Sequence, residues 1–306
     1  MDQHTHAVGS KDIRSVIVIS DTHCGCRFGL CPPTVQLDHG GPYYQGPTQQ
    51  KIWEVWNYFW NVWVPKATKG EPYAIVHNGD ALDGSHHGSK TQISQNHSDQ
   101  ANIAEAVLAP LLEKCDGRFY MIRGTEAHTG QSEENGERLA KAIGAIPDEA
   151  GHFSRYEMWM RLGHGLCHFT HHIGTTSRTA YETSALMAEY SEMLTDAGRW
   201  GREAPDVVIR SHRHRMCKVE VPTAKVYGIC FTTPGWQAKT PFVYKVSRVG
   251  EPQLGGALIR CGDEELYTRH YTQALPRGPV HRLTVDFNEG EEDEADQLDQ
   301  CQRGQG

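Results

Sequence analysis

Carboxylate and imidazole side chains recur in short polar turns of this sequence. The turns supply Asp21 and His23, Asp80 and Asp83, Glu126 and His128, His171 and His172, and His212 and His214. One Asp-x-His turn is usually a hydrogen-bonded strand end, but five such turns have no simple structural explanation. Imidazole and carboxylate together suit Mn, Fe, Zn, Co or Ni, whereas Mg and Ca prefer shells made of oxygen alone. The five turns hold enough ligands for two metal ions.

A pair of metal ions would give these turns a defined chemistry. Two ions about 3.5 to 4 Å apart are bridged by a carboxylate and can hold a bridging hydroxide that attacks phosphorus in line. The leaving oxygen needs a proton donor, which is usually a histidine. The residue types therefore predict metal-dependent cleavage of a phosphate ester.

Apolar runs precede the polar turns and predict the strands that position them. Continuous β-branched runs indicate buried strands of the parallel type. The predicted strands lie near residues 15–20, 73–77, 118–122, 156–162, 166–170 and 206–210, and the predicted helices near residues 48–64, 98–114, 135–142 and 178–199. The alternation predicts an α/β domain, in which ligands bind at the carboxyl ends of the strands.

The order of these motifs resembles the calcineurin-like metallophosphoesterase superfamily, whose pattern is D-x-H, G-D-x-x-D, G-N-H-[DE], a lone H and G-H-x-H. The matching stretches are residues 21–23, 79–83, 124–128, 171 and 211–214. The resemblance implies a four-layer αββα sandwich of two mixed β-sheets flanked by helices, with the site at the sheet edge. The R-G-T-E-A-H variant of the third motif also looks like bacteriophage and prophage sequences, which implies a bacterial cytosol.

The resemblance further implies a role for each matching residue. The implied ligands are Asp21, His23 and His214 for the first metal, His171 and His212 for the second, and Asp80 as the bridge between them. His171 occupies the family position, and His172 is expected to lie behind the ligands. The implied cofactors are two divalent transition-metal ions, with Mn preferred over Fe, Zn, Ni or Co.

The third motif departs from the family pattern. Thr125 and Glu126 stand where the family has an Asn that binds the second metal and a His that is a candidate general acid. We expect Glu126 to bind the second metal, and His128, displaced by two residues, to act as the acid or to orient the phosphate. An added carboxylate should strengthen metal binding and lower the Lewis acidity of the ion. In the alternative interpretation the second site is weak and the protein uses one ion.

Four further side chains near the turns are expected to contact the substrate. Arg123 and Arg213 lie within motifs and would neutralise phosphate oxygens, although arginines at strand ends often form structural ion pairs instead. His86 and His87 follow Asp80 in a loop from which they would reach the substrate, with simple solvation of both rings as the alternative.

Two other sets of side chains have structural interpretations. Residues 24–31 contain a C-x-C-x4-C pattern that matches no standard structural zinc spacing, so free thiols near the site are expected. Trp53, Trp56, Trp60 and Trp63 share one face of the first predicted helix. This face is expected to pack on the core rather than to stack on a ligand.

Length and charge indicate how the chain is organised. Of the 306 residues we expect 1–14 to be disordered, 15–287 to form a single domain with a loop insertion near 24–47 that could roof a pocket, and 288–306 to be an acidic disordered tail. The formal charge of -8 comes mainly from this tail. It therefore neither indicates nor excludes nucleic acid as a partner.

Other sequence features concern the cellular compartment. The apolar runs are far shorter than the roughly 20 residues that cross a bilayer, and the polar start does not resemble a signal peptide. An odd number of cysteines, 9, points to reduced thiols. We therefore expect a cytoplasmic protein with no membrane partner, and the sequence gives no indication of its oligomeric state.

Three functions fit these features. The first is a dinuclear phosphoesterase that prefers phosphodiesters to monoesters and attacks them with a metal-bridging hydroxide. The second is a nuclease for DNA or RNA, which would want a basic groove that no run of Lys and Arg indicates. The third is a non-catalytic interaction protein that retains the fold.

Overall fold

The computed structural model describes residues 13–86, 88–130, 134–174, 179–224, 226–246, 250–276 and 280–283. The chain divides into two units, Met1–Leu275 and Pro276–Gly306, and every helix and strand of the described residues belongs to the first. The predicted disordered start lies outside the described residues as far as residue 12, and the predicted acidic tail lies outside them entirely.

The described residues form strands and helices in the following order along the chain. The strands are β1 (Ser15–Ile19), β2 (Thr34–Gln36), β3 (Pro42–Tyr44), β4 (Ala74–Asn78), β5 (Phe119–Ile122), β6 (Ser154–Arg155), β7 (Met158–Leu162), β8 (Gly165–Phe169), β9 (Val207–Arg210), β10 (Cys217–Thr223), β11 (Val226–Thr232), β12 (Gln253–Cys261) and β13 (Leu266–Ala274). The α-helices are α1 (Pro47–Tyr58), α2 (Val64–Thr68), α3 (His97–Leu108), α4 (Pro110–Lys114), α5 (Glu126–Thr129), α6 (Glu134–Ile143), α7 (Glu182–Trp200) and α8 (Pro241–Val246). A π-helical turn, Phe59–Trp63, joins α1 to α2, and a short 3-10 helix, Thr179–Tyr181, precedes α7.

Two mixed sheets form the centre of the fold. The larger has the strand order β13-β12-β1-β4-β5-β6, in which β1, β4, β5 and β6 are parallel and β12 and β13 are antiparallel to their neighbours. The smaller has the order β10-β11-β9-β8-β7, with parallel strands at its centre and antiparallel strands at both edges. The predicted strands preceding the polar turns are all present, as β1, β4, β5, β8 and β9.

The sheets pack face to face because strands such as β1 are apolar on both sides. Alternate side chains of a strand point to opposite faces. Val16 and Val18 pack against Phe169 and Ile209 of the smaller sheet. Ile17 and Ile19 face the helices. Because both faces are buried, the sequence of β1 is a continuous apolar run.

Helices cover the outer face of each sheet. α1, α2, α3 and α6 share a core with the outer face of the larger sheet. Leu186 and Tyr190 of α7 pack on Val208 and Cys230 of the smaller sheet. The order of layers is therefore helix, sheet, sheet, helix, and the predicted α/β fold with two mixed sheets flanked by helices is confirmed.

The tryptophans of the first helix pack as expected from their spacing. Trp56 and Trp60 are buried, and the Trp56 ring meets Trp236 edge-on with 4.7 Å between ring centroids. Trp53 and Trp63 are partly buried against the same core. This face of α1 and of the π-helical turn is core and offers no surface for stacking on a ligand.

The segment predicted as a loop insertion, residues 24–47, contains the two-stranded sheet β2–β3 and packs against the rest of the protein. The N–H of Cys24 donates to the carbonyl of Ala81 over 2.9 Å. Cys24, Cys26 and Cys31 are buried free thiols. Burial raises the pKa of Cys26 and of Cys31 to about 12, so both thiols stay protonated and unreactive at neutral pH.

The helices of the described residues also bear on membrane association. None of these helices combines the length and the apolarity that crossing a bilayer requires.

Candidate metal centre

The turns after β1, β4, β5, β8 and β9 meet at one edge shared by the two sheets. The contacts between turns are short. His214 Nε2 lies 3.2 Å from Asp21 Oδ1, and His171 Nε2 lies 2.9 Å from Asp80 Oδ2. Polar turns that are far apart in the sequence therefore form one cluster, as expected for the carboxyl ends of strands in an α/β fold.

Two groups of ligand atoms match the two predicted metal sites. The groups, each with its ligand atoms within 4.8 Å of one another, are Asp21, His23 and His214, and Asp80, His171 and His212. A further group joins Asp80 to His23 and His128. This places the Asp80 carboxylate beside both sites, where a bridging ligand has to be. The structure thus brings together every predicted metal ligand except Glu126.

Several buried polar atoms of this cluster converge without hydrogen bonds. Asp21 Oδ1, Asp80 Oδ2 and His171 Nε2 have no hydrogen-bond partner among the described residues. His171 Nδ1 lies 2.7 Å from the carbonyl oxygen of Asn78, to which it can only donate. The neutral ring therefore presents a lone pair at Nε2, facing a carboxylate oxygen. Such a contact is stable only with a proton or a cation between the two atoms, so the residues fit divalent metal ions.

The charges of the cluster shift the pKa values of its members. Burial disfavours the ionised form of Asp21, but His214 and His171 outweigh this effect and hold the Asp21 pKa below its usual range. Burial likewise opposes ionisation of Asp80, but His171 and His128 lower its pKa. Burial lowers the pKa of His171, but Asp80 outweighs it and raises the pKa to about 9. Without metal, His171 is therefore protonated at neutral pH, and metal binding would displace this proton.

Five of the ligand residues have a left-handed backbone conformation, which residues other than glycine rarely adopt. The φ angles are 53° for Asp21, 41° for His23, 54° for Asp80, 70° for His212 and 52° for His214. Each such residue costs about 1–3 kcal/mol and persists only where surrounding contacts impose it, commonly at functional sites. The turns therefore direct side chains to a common point at a cost in local stability.

Two motif glycines allow the turns to approach one another. A Cβ on Gly79 would lie 2.2 Å from His171 Nδ1, and one on Gly124 would lie 2.1 Å from Asp80 Oδ1. Gly79 also has a φ of 96°, which L side chains rarely adopt. These glycines are required because ligands occupy the space beside them.

A chain of hydrogen bonds at the sheet edge ends on the Asp21 carboxylate. Asn78 Nδ2 donates to Ser211 Oγ over 2.7 Å, and Ser20 Oγ donates to Asp21 Oδ2 over 2.5 Å. Thr233 Oγ1 lies 2.7 Å from Ser211 Oγ and 2.6 Å from Ser20 Oγ. Because the amide can only donate and the carboxylate can only accept, the protons run from Asn78 through the three hydroxyls to Asp21. Ser211 is thus part of this chain of hydrogen bonds.

Asp83 lies next to His23 of the first ligand group. Its Oδ1 lies 3.7 Å from His23 Nδ1. Gln92 and Gln237 donate to its two oxygens over 3.0 Å and 3.3 Å. The Asp83 carboxylate therefore lies on the Nδ1 side of the His23 ring, and Nε2 on the other side lies 3.1 Å from His214 Nε2.

In the third motif, Thr125 rather than Glu126 contacts the Asp80 carboxylate. The N–H and the hydroxyl of Thr125 both donate to Asp80 Oδ1, over 2.7 Å and 3.2 Å. Glu126 is exposed at the start of α5 and belongs to none of the ligand groups of the described residues. The structure does not bring Glu126 into the cluster, and its assignment as a ligand stays a prediction.

His128 lies within the cluster, between Asp83 and Asp80. Its Nδ1 lies 2.5 Å from the carbonyl oxygen of Asp83, and its Nε2 lies 3.8 Å from Asp80 Oδ2. Burial lowers the pKa of His128 to about 4, although Asp80 opposes the shift. The neutral ring carries its proton on Nδ1 and a lone pair on Nε2. The expected acid role would need the imidazolium form, which this environment disfavours.

Arg123 is held by structural contacts at the rim of a cavity beside the second ligand group. Its Nε donates to the Ser154 carbonyl over 3.3 Å, and its Nη2 lies 3.8 Å from Glu137 Oε2. The guanidinium stacks on the Tyr156 ring, with Cζ 4.3 Å from the ring centroid. The cavity, of about 430 Å³, is lined by Arg123, Tyr156 and His171 among others.

The other predicted substrate contacts have different positions. His86 Nε2 lies 3.7 Å from Asp83 Oδ1, and its ring centroid lies 4.5 Å from that of His128, so His86 borders the cluster. His87 lies outside the described residues. Arg213 donates to the carbonyl oxygen of Gly174 and lines a second cavity beside the ligands.

Sequence reasoning missed several of the supporting residues. Asn78 and Ser20 directly precede motif residues, so their positions at strand ends could have suggested a supporting role. Gln92 and Gln237 lie outside all motifs. Nothing in the sequence signals the contact of Gln237 with Asp83, which spans 154 residues.

Comparison with known proteins gives structural similarity only. Neither the known protein families nor the curated protein sequences yield a match. Solved structures that overlap with the chain include a predicted phosphoesterase of Streptococcus pneumoniae, with 12% sequence identity and a TM-score of 0.33 over 86% of this chain and 100% of that one. Vps29 of Entamoeba histolytica, solved with zinc, shows 13% identity and a TM-score of 0.37 over 84% of this chain and 92% of its own. Vacuolar protein sorting 29 of Cryptosporidium parvum shows 9% identity and a TM-score of 0.38 over 87% and 100%. Overlap at this level does not establish a shared function.

Proposed function

We propose that the protein is a metal-dependent phosphoesterase that hydrolyses phosphodiesters at two divalent metal ions. The convergence of both ligand groups on Asp80 carries this proposal. There the buried Asp80 Oδ2 and His171 Nε2 lie 2.9 Å apart, a contact that is stable only with a proton or a cation between the two atoms. Asp21 Oδ1 of the other ligand group is buried without a hydrogen-bond partner among the described residues, and an unpaired buried polar group costs about 1–3 kcal/mol.

The proposed metal sites use the two ligand groups described above. Asp21, His23 and His214 would hold one ion, His171 and His212 the other, and Asp80 both. When bound, the two ions would supply Lewis acidity, which neutralises charge on the phosphate and lowers the pKa of an attacking water. Mn²⁺ is the preferred ion, and Fe, Zn, Ni and Co share its tolerance of mixed nitrogen and oxygen ligands.

Residues of the chain itself hold the ligands in position. Thr125 fixes Oδ1 of Asp80 and leaves Oδ2 facing the cluster. Ser20 fixes Oδ2 of Asp21 and leaves Oδ1 free in the same way. His128 presents a lone pair at Nε2 and so would accept rather than donate a proton at neutral pH.

The cavity beside the second ligand group favours a phosphodiester over a monoester. Arg123, its arginine, is already engaged by Glu137 and stacked on Tyr156. Its walls are therefore better suited to the single negative charge of a diester than to the two charges of a monoester. A nuclease is the special case of this function in which the diester belongs to DNA or RNA.

The test is a metal-replacement assay. Protein stripped with EDTA would be reloaded separately with Mn, Fe(II), Zn, Ni and Co, then given p-nitrophenyl phosphate or bis(p-nitrophenyl) phosphate. We expect at least one metal to restore hydrolysis, with kcat/KM for the diester higher on the order of tenfold, which corresponds to about 1.4 kcal/mol. Bound metal without turnover on either ester would instead support a non-catalytic protein that retains the fold, an alternative to which the altered third motif lends weight.

A further inference from the structure

A small basic cavity that shares no lining residue with the cavity beside Arg123 adjoins the candidate metal centre. It has a volume of about 200 Å³, and its walls include the metal-ligand candidates His212 and His214 together with Arg213 and Lys239. Cavities that hold whole small molecules usually measure about 300–1,000 Å³. This one is therefore sized for one group of a larger ligand rather than for a complete substrate.

Lys239 is buried in the wall of this cavity with little compensation for its charge. Its side chain is 6% exposed, and its Nζ lies 3.7 Å from Oε1 of Glu251, whose side chain is 67% exposed. Nζ also lies 4.6 Å from the centroid of the Tyr244 ring. Lysine is almost never buried to this extent unless it is closely paired. The position therefore calls for an anion closer to Nζ than the Glu251 carboxylate, and no other described acidic side chain is paired with it.

The backbone holds Lys239 at a fixed distance from the metal centre. The N–H of Trp236 donates to the carbonyl oxygen of Asp21 over 2.9 Å, and that of Ala238 donates to Phe28 over 2.8 Å. Gln237 donates to Asp83. This segment is thus tied to the turn that carries the first ligand group, which makes Lys239 a rigid neighbour of that group rather than a mobile surface cation.

Arg213 adds a second cation to the same cavity. One guanidinium nitrogen, Nη2, donates to the carbonyl oxygen of Gly174. The other, Nη1, is buried and has no hydrogen-bond partner among the described residues. The third basic residue of the wall, Arg215, pairs with Glu182 and is therefore compensated. Two incompletely compensated cations thus face a cavity that opens beside the metal ligands.

We propose that this cavity binds a second phosphate group on the substrate, one that belongs to the same molecule as the phosphodiester cleaved at the metal centre. The proposal rests on the phosphoesterase function proposed above. Lysine and arginine donors recognise phosphate through charge-assisted hydrogen bonds. The second phosphate would be either the next phosphate of a nucleic-acid strand or a terminal phosphate on a small diester.

The experiment compares a diester that lacks a second phosphate with substrates that carry one. The metal-loaded protein would be given d(TpT), its 5′- and 3′-phosphorylated forms d(pTpT) and d(TpTp), and a ten-residue oligo(dT). We expect at least one of the substrates with a second phosphate to exceed d(TpT) in kcat/KM by tenfold or more. A preference for a phosphorylated dinucleotide identifies a terminal phosphate, and a preference confined to oligo(dT) identifies a strand.

Substitution of Lys239 tests whether the preference comes from this cavity. The relevant quantity is the ratio of kcat/KM for the preferred substrate with a second phosphate to kcat/KM for d(TpT). We expect Lys239→Gln to reduce this ratio to within about twofold of unity, and Lys239→Arg to retain most of it. Lys66→Gln removes an exposed lysine on α2 and should leave the ratio as in the unaltered protein. If Lys239→Gln does not fold, the unaltered protein still provides a test, because the ratio should fall as NaCl screens the second contact.

The outcomes separate the two proposals. Absence of bis(p-nitrophenyl) phosphate hydrolysis by the unaltered protein with every metal would contradict the phosphoesterase function itself. Hydrolysis of that ester with a ratio near unity for every substrate would overturn the second-phosphate site alone. A large ratio that Lys239→Gln leaves unchanged would also overturn it, since the preference would then arise elsewhere.

Discussion

Thr125 and Glu126 are neighbours in the sequence, but only Thr125 touches the Asp80 carboxylate. Thr125 donates two hydrogen bonds to Oδ1, whereas the Glu126 side chain is exposed. Thr125 thus fixes the carboxylate that we propose to bridge two metal ions, and it belongs to none of the ligand groups of the described residues. If two ions bind, the third motif determines how many protein ligands the second ion has.

A pair of variants distinguishes these roles. Thr125→Val removes the hydroxyl while keeping the shape of the side chain, and we expect kcat to fall about tenfold because one of two hydrogen bonds that orient Asp80 is lost. Glu126→Gln should keep the metal content and stay within about twofold of the original rate. The measurements are metal content by mass spectrometry and steady-state kinetics. Loss of one equivalent of metal from Glu126→Gln would show that Glu126 is a ligand after all.

The elements that carry the ligands are short turns whose backbone is strained at the ligand residues. Gly79 is constrained in two ways, because a Cβ at this position would lie 2.2 Å from His171 Nδ1 and the φ angle is 96°. The turn after β4 therefore fits against β8 only when residue 79 lacks a side chain. This close approach brings Asp80 and His171 together.

Gly79→Ala tests the cost of this approach. We expect the free energy of unfolding to fall by about 2–4 kcal/mol, from backbone strain and from the contact with His171, and metal binding at the second site to weaken. The matched control is Gly70→Ala, at a glycine that also has a positive φ, 72°, but open space around it. Urea unfolding of both variants gives the comparison. Equal destabilisation of the two would mean that the approach to His171 carries no cost of its own.

At the scale of elements, much of the site could be predicted from the sequence. Asp21, Asp80 and His171 follow apolar runs, and the burial of those runs in parallel strands brings their carboxyl ends to one edge. The features of the site that differ from the predicted ones depend on contacts between residues far apart in the sequence, which no local sequence pattern indicates. The direction of the Glu126 side chain depends on where α5 begins, and the support of Asp83 by Gln237 depends on a segment 154 residues away.

The order of the strands within the sheets is harder to predict from the sequence. In the larger sheet β12 lies beside β1 and β13 lies beside β12, although both follow β1 by more than two hundred residues. Short apolar stretches alternate with Gly and Pro from residue 218 to about residue 285, a pattern that is typical of strands but does not indicate which strands they pair with. Pairing of distant strands depends on the packing of whole layers, which hydrophobic periodicity does not encode.

For the whole molecule, buried histidines make stability depend on pH. Burial lowers the pKa of His77, of His168 and of His270 to about 4, compared with about 6.5 in an unfolded chain. Between these values the unfolded chain binds protons that the folded protein does not, so the free energy of unfolding falls as the pH is lowered. For the fully buried His77 this amounts to about 3 kcal/mol at most.

His171 has the opposite effect in the metal-free protein. Its folded pKa of about 9 lies above the unfolded value, so its contribution is complete below about pH 6.5 and is lost as the pH rises toward 9. We therefore expect the metal-free protein to be most stable near pH 6.5, and metal binding to abolish the loss on the alkaline side by replacing the proton.

Urea unfolding between pH 4.5 and 9, with EDTA or with Mn²⁺, measures how the free energy of unfolding falls on the acidic limb, below about pH 6.5, and on the alkaline limb, above it. His270→Gln cannot titrate and should flatten the acidic limb, whereas His97→Gln, at an exposed position, should not. An alkaline limb that persists unchanged in saturating metal would contradict the assignment of His171 as a ligand.

One substitution tests whether Asp80 bridges the two proposed metal ions. Asp80→Asn should reduce bound metal from about two equivalents to one or fewer and lower kcat for bis(p-nitrophenyl) phosphate by at least a hundredfold, about 2.7 kcal/mol. Asp116→Asn is the matched control, because Asp116 has nearly the same φ, 53°, and a side chain that is 88% exposed. The measurement is metal content and turnover on the same samples. Two equivalents of metal and unaltered turnover in Asp80→Asn would show that Asp80 does not bridge two metal ions.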